Sequence, residues 1–341
     1  MKRYIATVLP GLEQVLAHEI RAKLAGAHIE FTERGKVYFA SGLPEEALMV
    51  LRTADNLYQW IHRFQVGLHK LHLAGIEQEI SRLDLSWIKA NRIGTTRFKV
   101  NASRVGKHTY SRFEAAEAAA RGIGKRNSRF RPCETGMHEV EFRMDVQHDE
   151  AVLAVRLTDA SYRFRGEERR FTQAALRPTV AHALVWLSDP QRSDVFIDPC
   201  CGSGTIMSER LTYPYLRVEG GDLSREAVAS AAENIGHCER AKIHHWNARS
   251  LPIDAGCVDK IVTNLPFGKQ IAANEDILEL YLELFGEMKR VLKMDGSAIC
   301  LTDAEAALQS AAERAELDCS KTMTLHLKGL HPALFVLRKQ S

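Results

Sequence analysis

Residues 195–206 of the 341-residue chain read Val-Phe-Ile-Asp-Pro-Cys-Cys-Gly-Ser-Gly-Thr-Ile: an apolar strand, a carboxylate, a glycine turn and the start of a helix. Gly202 and Gly204 let the backbone come close to a ligand at the carboxyl end of that strand. A dinucleotide fingerprint would need a third glycine where Met207 stands, so no pyrophosphate site is implied. Further on, Val-Glu-Gly-Gly-Asp-Leu-Ser (218–224) closes a second strand on Asp222, positioned to hold a pair of ribose hydroxyls. The plain alternative is that Asp222 caps a helix beginning at Arg225. A third strand ends at Trp-Asn-Ala-Arg (246–249), where the Asn247 side chain offers an acceptor to an adenine amino group. Cys200 and Cys201 lie inside the glycine loop with no histidine beside them, so packing of small residues explains them better than a thiolate nucleophile.

These segments need a scaffold that gathers strand ends, and the hydrophobic pattern predicts one. Strands at 195–197, 217–221, 242–246, 260–263 and 297–301 alternate with helical patterns at about 204–211, 225–235 and 274–293. That alternation predicts a parallel sheet with helices on both faces. Two more strands, 321–327 and 333–337, have no helix between them and predict an antiparallel hairpin at the sheet edge. A helix over 179–188 leads into this unit.

The front of the chain is patterned differently. Strands at 2–9, 29–32, 36–40 and 58–65 and helices after Pro10-Gly11 and over 44–54 follow the order β-α-β-β-α-β, which predicts a ferredoxin-like domain over residues 1–65. Residues 66–160 open with a helical stretch over 73–88, and 97–102, 139–147 and 151–157 read as strands. Between them 111–124 reads as a helix, with Ser111 and Glu114 as a capping box and Gly122 or Gly124 as the stop. Residues 161–178 form a charged linker, and 179–341 the last domain. The expected fold class is therefore multidomain, α+β in front and α/β behind.

The fourth strand of the last domain runs into Val-Thr-Asn-Leu-Pro-Phe-Gly (262–268). Here Asn264-Leu265-Pro266-Phe267 resembles the (Asn/Asp)-Pro-Pro-(Tyr/Phe) signature of amino-methyltransferases with a Rossmann-like fold. Asp198-Pro199-Cys200-Cys201-Gly202-Ser203-Gly204-Thr205 resembles their first cofactor motif. Over nearly its whole length the chain is similar to the THUMP-domain tRNA (guanine-N2)-methyltransferases of the position 6 type. In that order come a ferredoxin-like domain, a THUMP domain, a linker and a seven-stranded Rossmann-like class I methyltransferase domain. Within the second region, 97–106 with its following helix and the strand ending at 155–161 carry the THUMP match.

The resemblance implies S-adenosylmethionine as cofactor, held by Asp198, Pro199, Cys200, Gly202, Ser203, Gly204, Thr205, Asp222, Leu223, Asn247, Ala248 and Asn264. Leu176-Arg177-Pro178-Thr179 resembles the family segment beside the methionine end, which places Arg177 and Thr179 near the cofactor carboxylate. It also implies catalytic roles for Asn264, Leu265, Pro266 and Phe267. An exocyclic amine is a poor nucleophile because its lone pair is delocalised into the ring. The Asn264 side-chain oxygen and the Leu265 carbonyl would take both amine hydrogens and turn the lone pair toward the sulfonium methyl; Pro266 would fix the turn and Phe267 stack on the base. Leu265 stands where proline is commoner, and Asn247 where many relatives carry aspartate.

Charge divides the chain in the same place as pattern. Residues 1–175 carry 28 Lys and Arg against 21 Asp and Glu, and residues 176–341 carry 18 against 22. Ten basic residues and only two acidic ones fall within 97–131, a footprint for a polyanion. Arg97, Lys99, Arg104, Lys107, Lys125, Arg126 and Arg129 are the expected phosphate contacts, and Arg163, Arg165, Arg169 and Arg170 would extend the path. The resemblance makes the partner tRNA, gripped by its single-stranded acceptor end. No apolar run is long enough for a membrane span, and the start lacks the pattern of a signal peptide. The seven cysteines are scattered, with no C-x-x-C pair, and His108 and His138 lack partners at metal spacing. No metal, a cytoplasmic location and a monomer are expected. Within the family, guanosine 6 of the acceptor stem is the favoured target, with guanosine 10 or a ribosomal RNA guanine as alternatives. The same four residues serve N6-methylation of adenine and N5-methylation of protein glutamine, against which the basic front half argues. The cofactor motif argues against a non-catalytic RNA chaperone, and the lack of a Ser-Gly-Gly pyrophosphatase loop against an RNA thiolation enzyme.

Overall fold

A computed structural model of the protein describes residues 1–88, 94–133, 136–159, 161–166, 175–266, 276–327 and 329–340. The front half is built from β1 (Lys2–Thr7), α1 (Glu13–Lys23), β2 (His28–Glu33), β3 (Lys36–Ser41), β4 (Asn56–Gln65), α2 (Leu73–Ser81), β5 (Thr96–Val105), α3 (Arg112–Arg126), β6 (Phe130–Pro132), β7 (Val140–Gln147) and β8 (Glu150–Arg156). All eight strands join one sheet in the order β2-β3-β1-β4-β8-β7-β5-β6. The expected boundary at residue 65 falls at the end of β4, which pairs antiparallel with β8, so the two front regions share a continuous sheet.

Three expectations for these regions differ from the structure. Instead of a helix over 44–54 there is a short 3₁₀ turn, Glu45–Val50. The buried Glu19 carboxylate takes the backbone N–H groups of Arg52 and Thr53, both at 2.9 Å, which pulls the chain out of helix there. The capping box on α3 forms as Ser111 and Glu114 predict, but neither glycine stops the helix, which runs on to Arg126. A Cβ on Gly122 would sit 2.7 Å from the Glu77 carbonyl oxygen, so this glycine lets α3 lie close against α2. The α2 helix itself ends at Ser81, well short of residue 88.

The back half comprises α4 (Pro178–Leu187), β9 (Val195–Asp198), α5 (Thr205–Arg210), β10 (Arg217–Asp222), α6 (Arg225–Ile235), β11 (Ala241–His245), β12 (Val258–Asn264), α7 (Ile277–Val291), β13 (Leu292–Thr302), α8 (Glu305–Arg314), β14 (Leu317–Thr324) and β15 (Ala333–Lys339). Its seven strands run β11-β10-β9-β12-β13-β15-β14, with β15 inserted antiparallel between β13 and β14. The edge hairpin is therefore present, though its first strand begins at Leu317 and is preceded by α8, which the sequence pattern did not predict. One core runs through both halves: Leu12, Leu16 and Ile20 of α1 cluster with Val180, Ala181 and Leu184 of α4. No described helix is long and apolar enough to cross a membrane.

Candidate active site

The strand order of the back sheet reverses between β9 and β12, and in such sheets ligands bind in the crevice beyond the carboxyl ends at that switch point. The loop leaving β9 adopts left-handed backbone at Gly202 (φ 52°) and Gly204 (φ 75°), conformations that glycine takes without a Cβ penalty. It is tied to the neighbouring strand end: Cys201 N–H donates to the Gly221 carbonyl at 2.9 Å and Gly202 N–H to Asp222 Oδ2 at 3.0 Å. Just past the end of β11, the buried Trp246 indole N–H donates to the Pro199 carbonyl at 3.0 Å. A Cβ on Gly221 would stand 2.6 Å from the Trp246 ring and 2.5 Å from the His244 carbonyl oxygen. The glycine pair of β10 is thus needed for packing around the loop, a role the sequence motif did not announce.

Unpartnered polar atoms mark the same place. Of the five buried side-chain polar atoms without a hydrogen-bond partner in the described back half, four belong to Asp198, Ser203, Thr263 and Asn264, at the ends of β9 and β12 and in the loop between β9 and α5. Buried polar groups are normally paired, so a cluster of orphans at a switch point reads as a ligand site. Burial pushes the Asp198 carboxyl up to about 7, and the nearby Asp222 carboxylate adds to the rise. Burial also raises the thiols of Cys200 and Cys201 well above the ordinary range, which leaves them protonated and unfit as nucleophiles.

The Asn264 segment continues the β12 ladder. Asn264 lies opposite Leu301 of β13, and Leu265 N–H donates to the Leu301 carbonyl at 3.0 Å. The Leu265 side chain is 1% exposed and packs with Tyr281 and Leu284 of α7. Leucine in place of the commoner proline is therefore a core anchor. The Tyr281 hydroxyl donates to the Pro266 carbonyl at 3.0 Å. Sequence reading missed Tyr281, because a tyrosine in the apolar stripe of a helix carries no local mark of contact with a loop. Phe267 lies outside the described residues.

The other expected cofactor contacts fall into two groups. Asp222 sits at the end of β10, with Oδ2 on Gly202 N–H and Oδ1 on Ser224 N–H at 2.9 Å. It is not the cap of α6, since Ser224 fills that position and accepts from Ala227 N–H. Leu223 projects beside it, 69% exposed. Asn247 is exposed and its Oδ1 accepts from Arg249 N–H at 3.1 Å, while Ala248 packs against the neighbouring core. Thr205 is buried at the start of α5. Arg177 and Thr179, the residues expected near the cofactor carboxylate, both meet Asp55. The buried Thr179 hydroxyl donates to Asp55 Oδ1 at 2.8 Å, and Arg177 pairs with Asp55 Oδ2 at 3.9 Å. Both side chains thus join α4 to the front half, because the chain before β4 delivers a carboxylate to the N-terminus of α4.

The basic cluster also divides. Arg129 donates from its guanidinium to the carbonyls of Leu85, Ser86 and Ile88 and so holds a loop. Lys125 and Arg121 both pair with Glu77 at 2.7 and 2.8 Å, and Arg104 donates to the Gly106 carbonyl. Lys107 and Arg126 are exposed, Arg97 and Lys99 half-buried along β5. Of the linker arginines, Arg165 is packed inward on Glu209 at 3.2 Å, while Arg169 and Arg170 lie outside the described residues. Among the described residues no group of three or more His, Cys, Asp or Glu is arranged to hold a metal ion.

The chain is similar to known methyltransferases. The family model described as "RMKL-like, methyltransferase domain" matches residues 165–333, and that for the RlmL ferredoxin-like domain matches residues 3–57. A tRNA (guanine(6)-N2)-methyltransferase of Thermus thermophilus is 30% identical over 347 residues, covering 98% of both chains. A tRNA (guanine(6)-N(2))-methyltransferase THUMP3 of Bos taurus is 30% identical over 264 residues, which span 71% of this chain and 51% of that longer one. The crystal structure of TrmN from Thermus thermophilus superposes over the full length of both chains with a TM-score of 0.83 at 26% identity.

Proposed function

We propose that this chain, which belongs to the tRNA (guanine-N2)-methyltransferase family, methylates the guanosine at position 6 of tRNA on its N2 amino group. The reaction class, S-adenosylmethionine-dependent N2-methylation of tRNA guanine, is that of the family. The choice of position 6 is our reading, supported by the relatives whose names carry it. The single observation that carries the site assignment is the cluster of orphaned polar atoms at Asp198, Ser203, Thr263 and Asn264.

Those residues suit the cofactor. It offers amino, carboxylate and ribose hydroxyl groups, and the orphan oxygens are donors and acceptors still in need of partners. We assign Asp198, Pro199, Cys200, Gly202, Ser203, Gly204 and Thr205 to the methionine end, Asp222 to the ribose, and Leu223, Asn247 and Ala248 to the adenine. When bound, S-adenosylmethionine supplies a methyl group on a positively charged sulfur. The chain's part is to position and orient. Asn264 Oδ1 and the Leu265 carbonyl accept the two N2 hydrogens, which turns the nitrogen lone pair toward the methyl donor, and Phe267 stacks on the flipped base. No strong base is required, because the amine becomes acidic once it carries the methyl group and then releases its proton.

Residues 66–160 are assigned to a THUMP unit that grips the acceptor end, residues 1–65 to the ferredoxin-like unit, 161–178 to the linker and 179–341 to the methyltransferase unit. Arg97, Lys99, Arg104, Lys107 and Arg126 are the proposed phosphate contacts, with Lys125 exchanging Glu77 for phosphate. The chain is proposed to act as a cytoplasmic monomer. The test is radiolabelled transfer from S-adenosylmethionine to an unmodified tRNA transcript, with nucleoside analysis and mapping. N2-methylguanosine at position 6 is the expected result. Label at position 10, or on ribosomal RNA alone, would replace the proposed target.

A further inference from the structure

The described residues hold a hydrogen-bond chain that no catalytic assignment uses, and it ends on the catalytic loop. Tyr281 of α7 and Thr302 at the end of β13 are both fully buried. The Tyr281 hydroxyl lies 3.0 Å from the Pro266 carbonyl oxygen and 2.7 Å from Thr302 Oγ1, and Thr302 Oγ1 lies 2.9 Å from Ala304 N. Chemistry orients every link. The Pro266 carbonyl can only accept, so Tyr281 donates its single hydroxyl proton there. Tyr281 must then accept from the Thr302 hydroxyl, and Thr302 accepts from the Ala304 N–H. Among the described residues these links leave one direction for the chain, with no proton left over.

We infer that Tyr281 is a positioning residue for methyl transfer, acting through the Pro266 carbonyl with Thr302 as its fixed donor; the inference rests on the active-site reading above. The segment Asn264-Leu265-Pro266 leaves the sheet with one ladder bond, Leu265 N–H to Leu301, and one side-chain anchor, the buried Leu265. Neither sets the rotation of the peptide after Leu265, whose carbonyl must meet the amine. The Tyr281 hydroxyl does so by holding the next carbonyl along. The Tyr281 ring is itself held against Phe285, with centroids 5.8 Å apart, so the hydroxyl is presented from a rigid helix. A shift of the acceptor by a fraction of an ångström weakens alignment in the transition state far more than ground-state binding.

The test compares Tyr281→Phe, Thr302→Val and Thr302→Ser in the full chain. Tyr281→Phe keeps the ring and removes the donor. Single-turnover transfer at saturating tRNA and cofactor is expected to fall by about 10- to 100-fold, with cofactor and tRNA affinities within about twofold of wild type. Thr302→Val should share the defect, and Thr302→Ser, which keeps the hydroxyl, should restore the rate. A Tyr281→Phe rate within about twofold of wild type, or a loss confined to affinity, overturns the inference. Hydrogen exchange at the Leu265 amide supplies a readout independent of substrate: it should quicken in Tyr281→Phe, and unchanged exchange counts against the clamp. Wild-type protein that labels no tRNA would sink the tRNA reading, while the exchange measurement still decides the clamp. If Tyr281→Phe fails to fold, the Thr302→Val and Thr302→Ser pair decides.

Discussion

Arg52 and Glu209 form a two-pronged ion pair, Nε to Oε2 at 2.8 Å and Nη2 to Oε1 at 3.1 Å, that joins the front half of the chain to the helix following the cofactor loop. Glu209 is fully buried in α5 and also takes Arg165 Nε at 3.2 Å. Arg52 is held in turn by its own backbone N–H on Glu19. Removing one partner of a buried pair leaves an uncompensated charge, whereas removing both does not.

Arg52→Ala is therefore expected to cost about 3 kcal/mol of stability, with Arg165 alone left on Glu209. The double variant Arg52→Ala, Glu209→Gln should recover much of that loss. Guanidinium denaturation of the single and double variants checks this. Equal midpoints for wild type and Arg52→Ala would show that Arg165 suffices.

Asp198 predicts a pH dependence. Burial lifts its carboxyl from 3.8 to about 7, so the folded protein without cofactor holds this proton more tightly than the unfolded chain. Stability from the neutral carboxyl is complete below the unfolded value and is lost as pH rises through about 7. Asp198→Asn should gain on wild type across that window when melting is followed from pH 4 to pH 8. The cofactor brings positive charge, so its binding should favour the carboxylate and release protons near pH 7. Calorimetry in two buffers of different ionisation heat measures that release. Parallel melting curves, with no proton release, would place the Asp198 titration elsewhere.

Asn264→Ala removes the orphaned acceptor at the end of β12. Methyl transfer is expected to be abolished, with cofactor affinity within a few-fold of wild type. Paired turnover and binding measurements test this, and wild-type turnover would remove Asn264 from the mechanism.

Charge reversal separates working from structural basic residues. Lys107→Glu and Arg126→Glu should weaken tRNA binding and make it less sensitive to salt, because each lost phosphate contact releases fewer counterions. Arg129→Gln should instead lower stability, since its guanidinium holds the Leu85, Ser86 and Ile88 carbonyls. Filter binding over a salt series and thermal melting distinguish the two. Unchanged tRNA affinity in Lys107→Glu would leave that face merely solvated.

The amino-acid sequence by itself determined the alternation of strands and helices in the back half, the glycine turn at Gly202 and Gly204, the cap on α3 and the place of Asn264 at a strand end. Each depends on periodicity or on turn chemistry within a few residues, and such short-range rules are written locally. Tertiary structure decided which side chains remain available. Arg177 and Thr179 read as neighbours in one short segment, and folding sets both on Asp55, more than a hundred residues earlier. Glu19 turns an expected helix into a 3₁₀ turn by reaching the backbone of Arg52 and Thr53. Tyr281 reads as an ordinary core residue until folding sets its hydroxyl on the Pro266 carbonyl. In each case the partner is brought close only by packing, and a buried polar group must bond whatever the fold delivers to it.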